Sequence, residues 1–334
     1  MNWKKVGGGL AAACGIAVIA VSLLVAWASP RGRAAAPVRA LAARRGSLVP
    51  LAARVPAAPA GPVARFTIAV KDTVLTIAPG VRYRAWTFGG RAPGPVLHVR
   101  QGQRVEITFR NDGMIPHSFD IHAARISAGA AFRDVAPGKS LRFSFVARDP
   151  GVFLYHCVTA PAVMHIANGM FGAFVVDPAR PLPRVDEQFV LVASEWYLDR
   201  AGHARPAELS MQKALAMNPD WVTFNGVASR YVQRPLHVAP HESLRFYVVN
   251  AGPNLVLPFH LVGGVFDRTY PDGDVTHPLS GVQTADVPPG GSGIFDARFD
   301  RPGLYGFVSH SFANAEKGAT GDIAVGDARG TMTH

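Results

Sequence analysis

Residues 151–170 read GVFLYHCVTAPAVMHIANGM, and within that stretch lie His156, Cys157, His165 and Met170. Adjacent side chains on a strand point to opposite faces, so His156 and Cys157 at a strand end cannot serve one ion. They can serve two ions joined by a single peptide link. Upstream, HSFDIHAA at 117–124 repeats the arrangement: His117 and His122 have opposite parity, and Asp120 shares the parity of His122. Two chain segments thus offer one ligand each to either side.

One side collects His117, Cys157, His165 and Met170. Two imidazoles, a thiolate and a thioether suit copper in a trigonal site with a weak axial ligand, the arrangement of electron-transfer centres. The spacing C-x7-H-x4-M closes the set from one segment, with Met164 as a rival axial ligand. The other side holds His122 and His156, too few to hold an ion alone. His310, which ends PGLYGFVSH as His156 ends the earlier Pro-Gly strand, supplies a third imidazole. Three imidazoles with an open position make a catalytic metal site, and Asp120 beside it is suited to shuttle a proton.

These residues need strands to present them. RFTIAV, RVEITFRND, SLRFSFVARD and GAFVVDP alternate in strand fashion, and EQFVLVASEWYL, SLRFYVVNAG, IFDARFDRPG and GDIAVGD do so again. Helical period is confined to AELSMQKALAM. VAPGKSLRF at 135–143 matches VPPGGSGIF at 287–295, an offset of 152 that also aligns the two Pro-Gly pairs, while RNDG and VNAG correspond more loosely. Two copies of one antiparallel β-sandwich, at 62–180 and 186–328, account for this best.

The charge of +11 misleads, because residues 1–71 carry ten Lys or Arg and no acid, leaving +1 for the rest. No basic patch in the body points to nucleic acid. Lys4 and Lys5 precede an uncharged run to Ala28, so 1–30 reads as a signal peptide or N-terminal membrane anchor. An Ala/Pro/Arg-rich linker at 31–61 follows and reads as a flexible tether. The chain is expected to be exported, either periplasmic or anchored on the outer side of the membrane. Cys14 lies in the leader, so Cys157 has no disulfide partner in the body. His98, His203, His237, His241, His277 and His334 read as structural or solvent-facing.

HSFDIHAA, YHC, MHIANGM, PFHLVGG and FVSH together resemble the copper-containing nitrite reductase family across roughly 62–328. The resemblance implies an all-β fold of two tandem Greek-key cupredoxin β-sandwich domains, assembled as a homotrimer. It implies a type 1 copper on His117, Cys157, His165 and Met170. A type 2 copper would sit on His122 and His156 of one subunit with His310 of a neighbour, so that each subunit carries one of each. Asp120 and His260 match the family's proton-handling pair, with Thr284 near the position that supports the active-site histidine; FNG at 224–226 is also similar. The implied reaction is dissimilatory, one-electron reduction of nitrite to nitric oxide. The electron would come from a separate small cytochrome c or cupredoxin, since there is no haem attachment motif or third domain. HAAR replaces the family's HAATG, and the arginine-rich N-terminus is unusual; neither touches a ligand.

Two other classes compete. A laccase-like multicopper oxidase needs repeated His-x-His pairs, and this sequence has none. An exported blue-copper electron carrier would use the thiolate side but leave His122, Asp120, His156, His260 and His310 without a task.

Overall fold

The computed structural model describes residues 53–332. The leader, residues 31–52 of the linker and His334 lie outside them. The first sandwich contains β1 (Val63–Ala78), β2 (Val81–Phe88), β3 (Leu97–Arg100), β4 (Arg104–Asn111), β5 (Asp120–Ile121), β6 (Ser140–Val146), β7 (Gly151–His156) and β8 (Phe171–Asp177). The second contains β9 (Glu187–Trp196), β10 (Trp221–Phe224), β11 (Arg234–Val238), β12 (Ser243–Asn250), β13 (Leu257–Val262), β14 (Arg268–Pro271), β15 (Thr284–Val287), β16 (Ser292–Arg298), β17 (Gly303–Ser309) and β18 (Thr320–Val325). Short helices α1 (Ala128–Ala131), α2 (Ala162–Ala167), α3 (Met211–Leu215), α4 (Arg230–Gln233) and α5 (Phe312–Glu316) sit in the connections. The helical period around 207–217 corresponds to α3 alone.

The sheets run β2-β1-β4-β6 and β3-β8-β7-β5 in the first sandwich, and β10-β9-β12-β16-β14 and β11-β18-β17-β13-β15 in the second. Each sheet is mixed rather than antiparallel throughout. The parallel pairs are β1 with β4, β3 with β8, β9 with β12, and β11 with β18. Alternation reports that a strand is half-buried and is the same whichever way its neighbour runs, so direction was not readable from it.

The repeat is visible in three dimensions. β6 and β16 start 152 residues apart, at Ser140 and Ser292, and β7 and β17 do so at Gly151 and Gly303. The looser match also has a physical basis. Asn111 donates its side-chain amide to Ile115 O and Val135 O while its Oδ1 accepts the Gly113 N–H. Asn250 does the same with Leu255 O, Val287 O and Gly252 N–H. In both domains a buried asparagine ties the loop that follows β4 or β12 to the segment that precedes β6 or β16. In the first domain that loop leads to His117.

Three large apolar clusters hold the body. Ile107, Phe109, Phe119, Leu141 and Phe174 fill the first sandwich, and Phe224, Phe246, Phe259, Phe295 and Phe307 fill the second. A third joins the two: Val152, Leu154 and Ala173 pack against Val190, Val192, Tyr247 and Ile294. Pairing of this kind follows the alternation of β7 and β8, strands buried on both faces, one face per core. FNG serves this junction. Gly226 takes φ +79°, and a Cβ there would lie 2.0 Å from Ala92 O of the first sandwich. Asn225 braces the turn through its Oδ1, which accepts the Val192 N–H at 2.8 Å.

The end of the linker is not a free tether. Val55 N–H donates to Gln188 O, and Val190 N–H donates to Ala53 O. Arg100 donates to Pro59 O at 2.8 Å, Gln103 donates to Gly61 O at 2.6 Å, and His98 Nδ1 lies 2.6 Å from Pro56 O. Proline lacks an N–H but presents its carbonyl, and side chains on and beside β3 supply the donors. His98 is therefore structural, as expected.

Candidate metal centres

β5 and β7 pair antiparallel, with Asp120 opposite His156 and Ile121 opposite Tyr155. β7 ends at His156, so Cys157 is the next residue and points to the opposite face, into the first core. The segment 117–124 forms only the two residues of β5. His117 instead bridges Val135, and His122 N–H donates to Leu154 O at 3.1 Å. The division into two sides nevertheless holds: His117 and Cys157 lie inward, while Asp120, His122 and His156 lie on the outer face.

The inner cluster is wholly buried: His117 and Cys157 are 0 % exposed and His165 is 1 % exposed. His117 Nδ1 lies 3.1 Å from His165 Nδ1, and Cys157 Sγ lies 3.4 Å from His165 Nδ1 and 4.0 Å from His117 Nδ1. His165 sits on α2 rather than in plain loop. Backbone bonds fold that segment onto the cysteine: Cys157 N–H donates to Met170 O and Met170 N–H donates to His165 O, each at 3.2 Å. Met170 is buried in the same cluster as Cys157, whereas Met164 is half-buried beside Trp86 in a surface cleft.

Three residues that sequence reasoning did not single out complete this centre. Trp86 lays its ring against both histidines, at centroid distances of 5.5 Å to His117 and 5.1 Å to His165. It lies 31 residues before His117 on a different strand, and nothing local marked it. Ser118 donates its N–H to Cys157 Sγ at 3.3 Å; its place beside His117 was the available signal. Gly113 gives His117 room, since a Cβ there would lie 3.3 Å from its Nε2 and 3.0 Å from Val70.

On the outer face His122 Nε2 lies 3.0 Å from His156 Nε2, and Asp120 Oδ2 lies 3.9 Å from the same His156 nitrogen. His156 Nδ1 lies 3.0 Å from its neighbour's carbonyl, Cys157 O. A carbonyl only accepts, so Nδ1 carries the proton and the Nε2 lone pair is free to face His122. His260 and His310 form a separate pair on the second sandwich, with ring centroids 4.9 Å apart. Asp120, His122 and His156 form one candidate ligand group and His117, Cys157 and His165 another; among the described residues His310 joins neither within the same chain. His260 Nδ1 lies 2.7 Å from Gln283 O and 3.1 Å from Thr284 Oγ1. Thr284 thus stands against His260, which keeps its Nε2 free.

Both ligand groups fit a metal ion. Two like ring nitrogens facing each other at about 3 Å cannot both point a proton into the gap, and a cation between them satisfies both lone pairs. Burial pushes the His117 imidazole down to about 4, with the His165 charge adding to it. Burial likewise lowers His165, and it lowers His156 despite the opposing Cys157 carbonyl. All three are held in the neutral form that binds metal.

This has a consequence for the metal-free protein. The unfolded histidine takes up a proton near pH 6.5 and the folded His117 only near 4, so stability is full above the first value and is lost as pH falls towards the second. His117 alone contributes on the order of 3 kcal/mol across that window. Denaturant titrations of metal-free protein between about pH 7.5 and 4.5 should show this fall, shallower in His117→Asn. Equal slopes in the two proteins would contradict it.

Residues 69–181 match the multicopper oxidase family model. The chain is 42 % identical over 260 residues to a copper-containing nitrite reductase of Neisseria meningitidis serogroup B, covering 76 % of this chain and 66 % of that protein, just under two thirds of its length. It is 31 % identical to the copper-containing nitrite reductase of Pseudomonas chlororaphis, covering 79 % of this chain and 78 % of that one. A solved copper nitrite reductase of Nitrosomonas europaea superposes with a TM-score of 0.74 at 33 % identity, covering 79 % of this chain and 94 % of that one. The paired sandwiches are two cupredoxin domains, and with both ligand groups present on them the chain belongs to the copper-containing nitrite reductase family.

Proposed function

We propose that this protein reduces nitrite to nitric oxide, taking up one electron and two protons and releasing water. The observation that carries the reading is the back-to-back arrangement. A thiolate–imidazole group and an imidazole–carboxylate group sit on opposite faces of one strand end, joined by the single Cys157–His156 peptide link. A simple electron carrier has no use for the second group, and the absence of any His-x-His argues against a laccase-type cluster.

His117, Cys157, His165 and Met170 would hold a type 1 copper, and His122, His156 and a neighbour's His310 a type 2 copper, one of each per subunit. Copper in these positions supplies one-electron redox chemistry at the thiolate and Lewis acidity at the imidazoles. The chain's own residues do the rest. The Cys157–His156 link is the shortest covalent path between the two groups. Asp120, half-buried and 3.9 Å from His156 Nε2, is positioned to hold a proton beside a bound anion. His260, held through Nδ1 by Gln283 O and Thr284, offers its Nε2 as the second proton carrier.

The separation of His122–His156 from His260–His310 supports a homotrimer in which the second pair faces the first pair of an adjacent subunit. The electron donor is a separate small cytochrome c or cupredoxin. The basic start and uncharged run of residues 1–28 support export, with the enzyme periplasmic or anchored outside the membrane and serving denitrification. Copper-loaded protein given a reduced artificial donor and nitrite without oxygen should release nitric oxide at an electrode. A strong charge-transfer colour with no nitric oxide would move the assignment to an electron carrier or an enzyme for another small substrate.

A further inference from the structure

The second sandwich repeats the backbone pattern that surrounds the thiolate of the first. In the first, His117 and Val135 exchange backbone hydrogen bonds, Cys157 N–H donates to Met170 O, and Met170 N–H donates to His165 O. In the second, Leu257 pairs with Val287, which lies 152 residues after Val135. Ser309, 152 residues after Cys157, donates its N–H to Ala319 O at 2.9 Å, and Ala319 N–H donates to Asn314 O at 3.0 Å. Asn314 lies on α5 as His165 lies on α2. Gly169 and Gly318, immediately before Met170 and Ala319, take φ of +108° and +105°. The two buried asparagines close the likeness, Asn111 on Val135 O and Asn250 on Val287 O.

We propose that Leu257, Ser309, Asn314 and Ala319 mark the ligand positions of a second thiolate-type metal site, whose backbone is formed and whose donors are replaced. An alkyl group, a hydroxyl, an amide and a methyl stand where the first centre has His117, Cys157, His165 and Met170. All four positions are buried. Ser309 supports the assignment independently. It is 1 % exposed, and its Oγ has no hydrogen-bond partner among the described residues. A buried hydroxyl without a partner is unfavourable, so hydrogen bonding does not account for a polar side chain there. Its place on β17 does: Ser309 shares the parity of Phe307, a core residue, and faces inward as Cys157 does. No soft donor remains at the four positions, which leaves one thiolate centre per chain. The backbone still carries the outer pair, because Ser309 precedes His310 and Leu257 lies three residues before His260, as His117 lies three before Asp120. The inference rests on the reading of the first centre as a thiolate copper site.

The test supplies the donors in the full chain, with Leu257→His, Ser309→Cys and Asn314→His together. Ala319 is kept, because the axial ligand is weak and a methionine there would overpack the core. The triple variant is made in the parent and in Cys157→Ser, which lacks the first band, and both are loaded with copper. In the parent background the sulfur-to-copper absorbance should rise about twofold, and copper by about one ion per subunit. In Cys157→Ser the triple variant should bring a band back. The smaller pair Ser309→Cys/Asn314→His, which keeps Leu257, should give a weaker band in that background. No new band from either variant, or failure of both to fold while the parent keeps its own band, would overturn the second site alone. Absence of the band from the parent protein would overturn the copper reading and the second site with it.

Discussion

Replacing His122 with alanine is expected to remove nitric oxide formation while leaving the sulfur-to-copper band intact. The two ligand groups share one peptide link but no side chain, and they lie on opposite faces of the end of β7. His122 packs its ring against His156, at a centroid distance of 5.0 Å, and makes no such contact with the inner histidines. Its loss leaves a single imidazole and a carboxylate on the outer face. Removing a partner that merely supports a ligand costs about 10- to 100-fold in metal affinity or activity. Removing a ligand should cost more than about 100-fold in turnover. Copper content per subunit should fall by about half, with the visible spectrum unchanged. Turnover near that of the parent would exclude His122 from the reaction.

Two variants that are each inactive should restore one another when assembled together. His122→Ala lacks the first half of the proposed outer site, and His310→Ala lacks the second. If His310 serves a neighbouring subunit, a mixed trimer contains boundaries at which an intact His122–His156 pair meets an intact His310. Random assembly from equal amounts makes each boundary intact with a probability of about one quarter, so co-expression should recover about a quarter of the parent activity. The geometry motivates the experiment: His310 sits with His260 on the second sandwich, its N–H donating to Pro258 O at 2.7 Å, and is not among the residues gathered around His122 and His156. Mixing the purified variants without exchange of subunits gives the baseline. Activity no higher than that baseline after co-expression would require the whole site to lie in one chain.

Much of the centre was legible because metal ligands are few, chemically distinctive and held at short spacings. Parity alone separated His156 from Cys157 and His117 from His122, since the period of two belongs to extended backbone whatever it packs against. The repeat also survived translation into structure, because the offset of 152 marks strands that do the same work in both sandwiches. The asparagines at 111 and 250 show why even a loose match can carry information: each side chain bonds two carbonyls and one N–H in the same pattern.

Other features depended on residues far apart in the chain. Strand direction was one, because a half-buried strand alternates identically in parallel and antiparallel pairing. Docking of residues 53–61 was another; a stretch rich in alanine and proline reads as a tether until His98, Arg100 and Gln103 meet its carbonyls. Trp86 reaches His117 and His165 only because β2 lies beside the ligand segment. The contacts of Thr159 Oγ1 with Asp134 and Ser118 join three loops whose residues are individually unremarked. The sequence by itself determined which side chains are candidate ligands, their two-sided division and the tandem sandwiches, all of which follow from local spacing and side-chain type. Only the tertiary structure decided which groups surround the thiolate and that His310 stands apart from His122, because those depend on how strands distant in sequence are brought side by side.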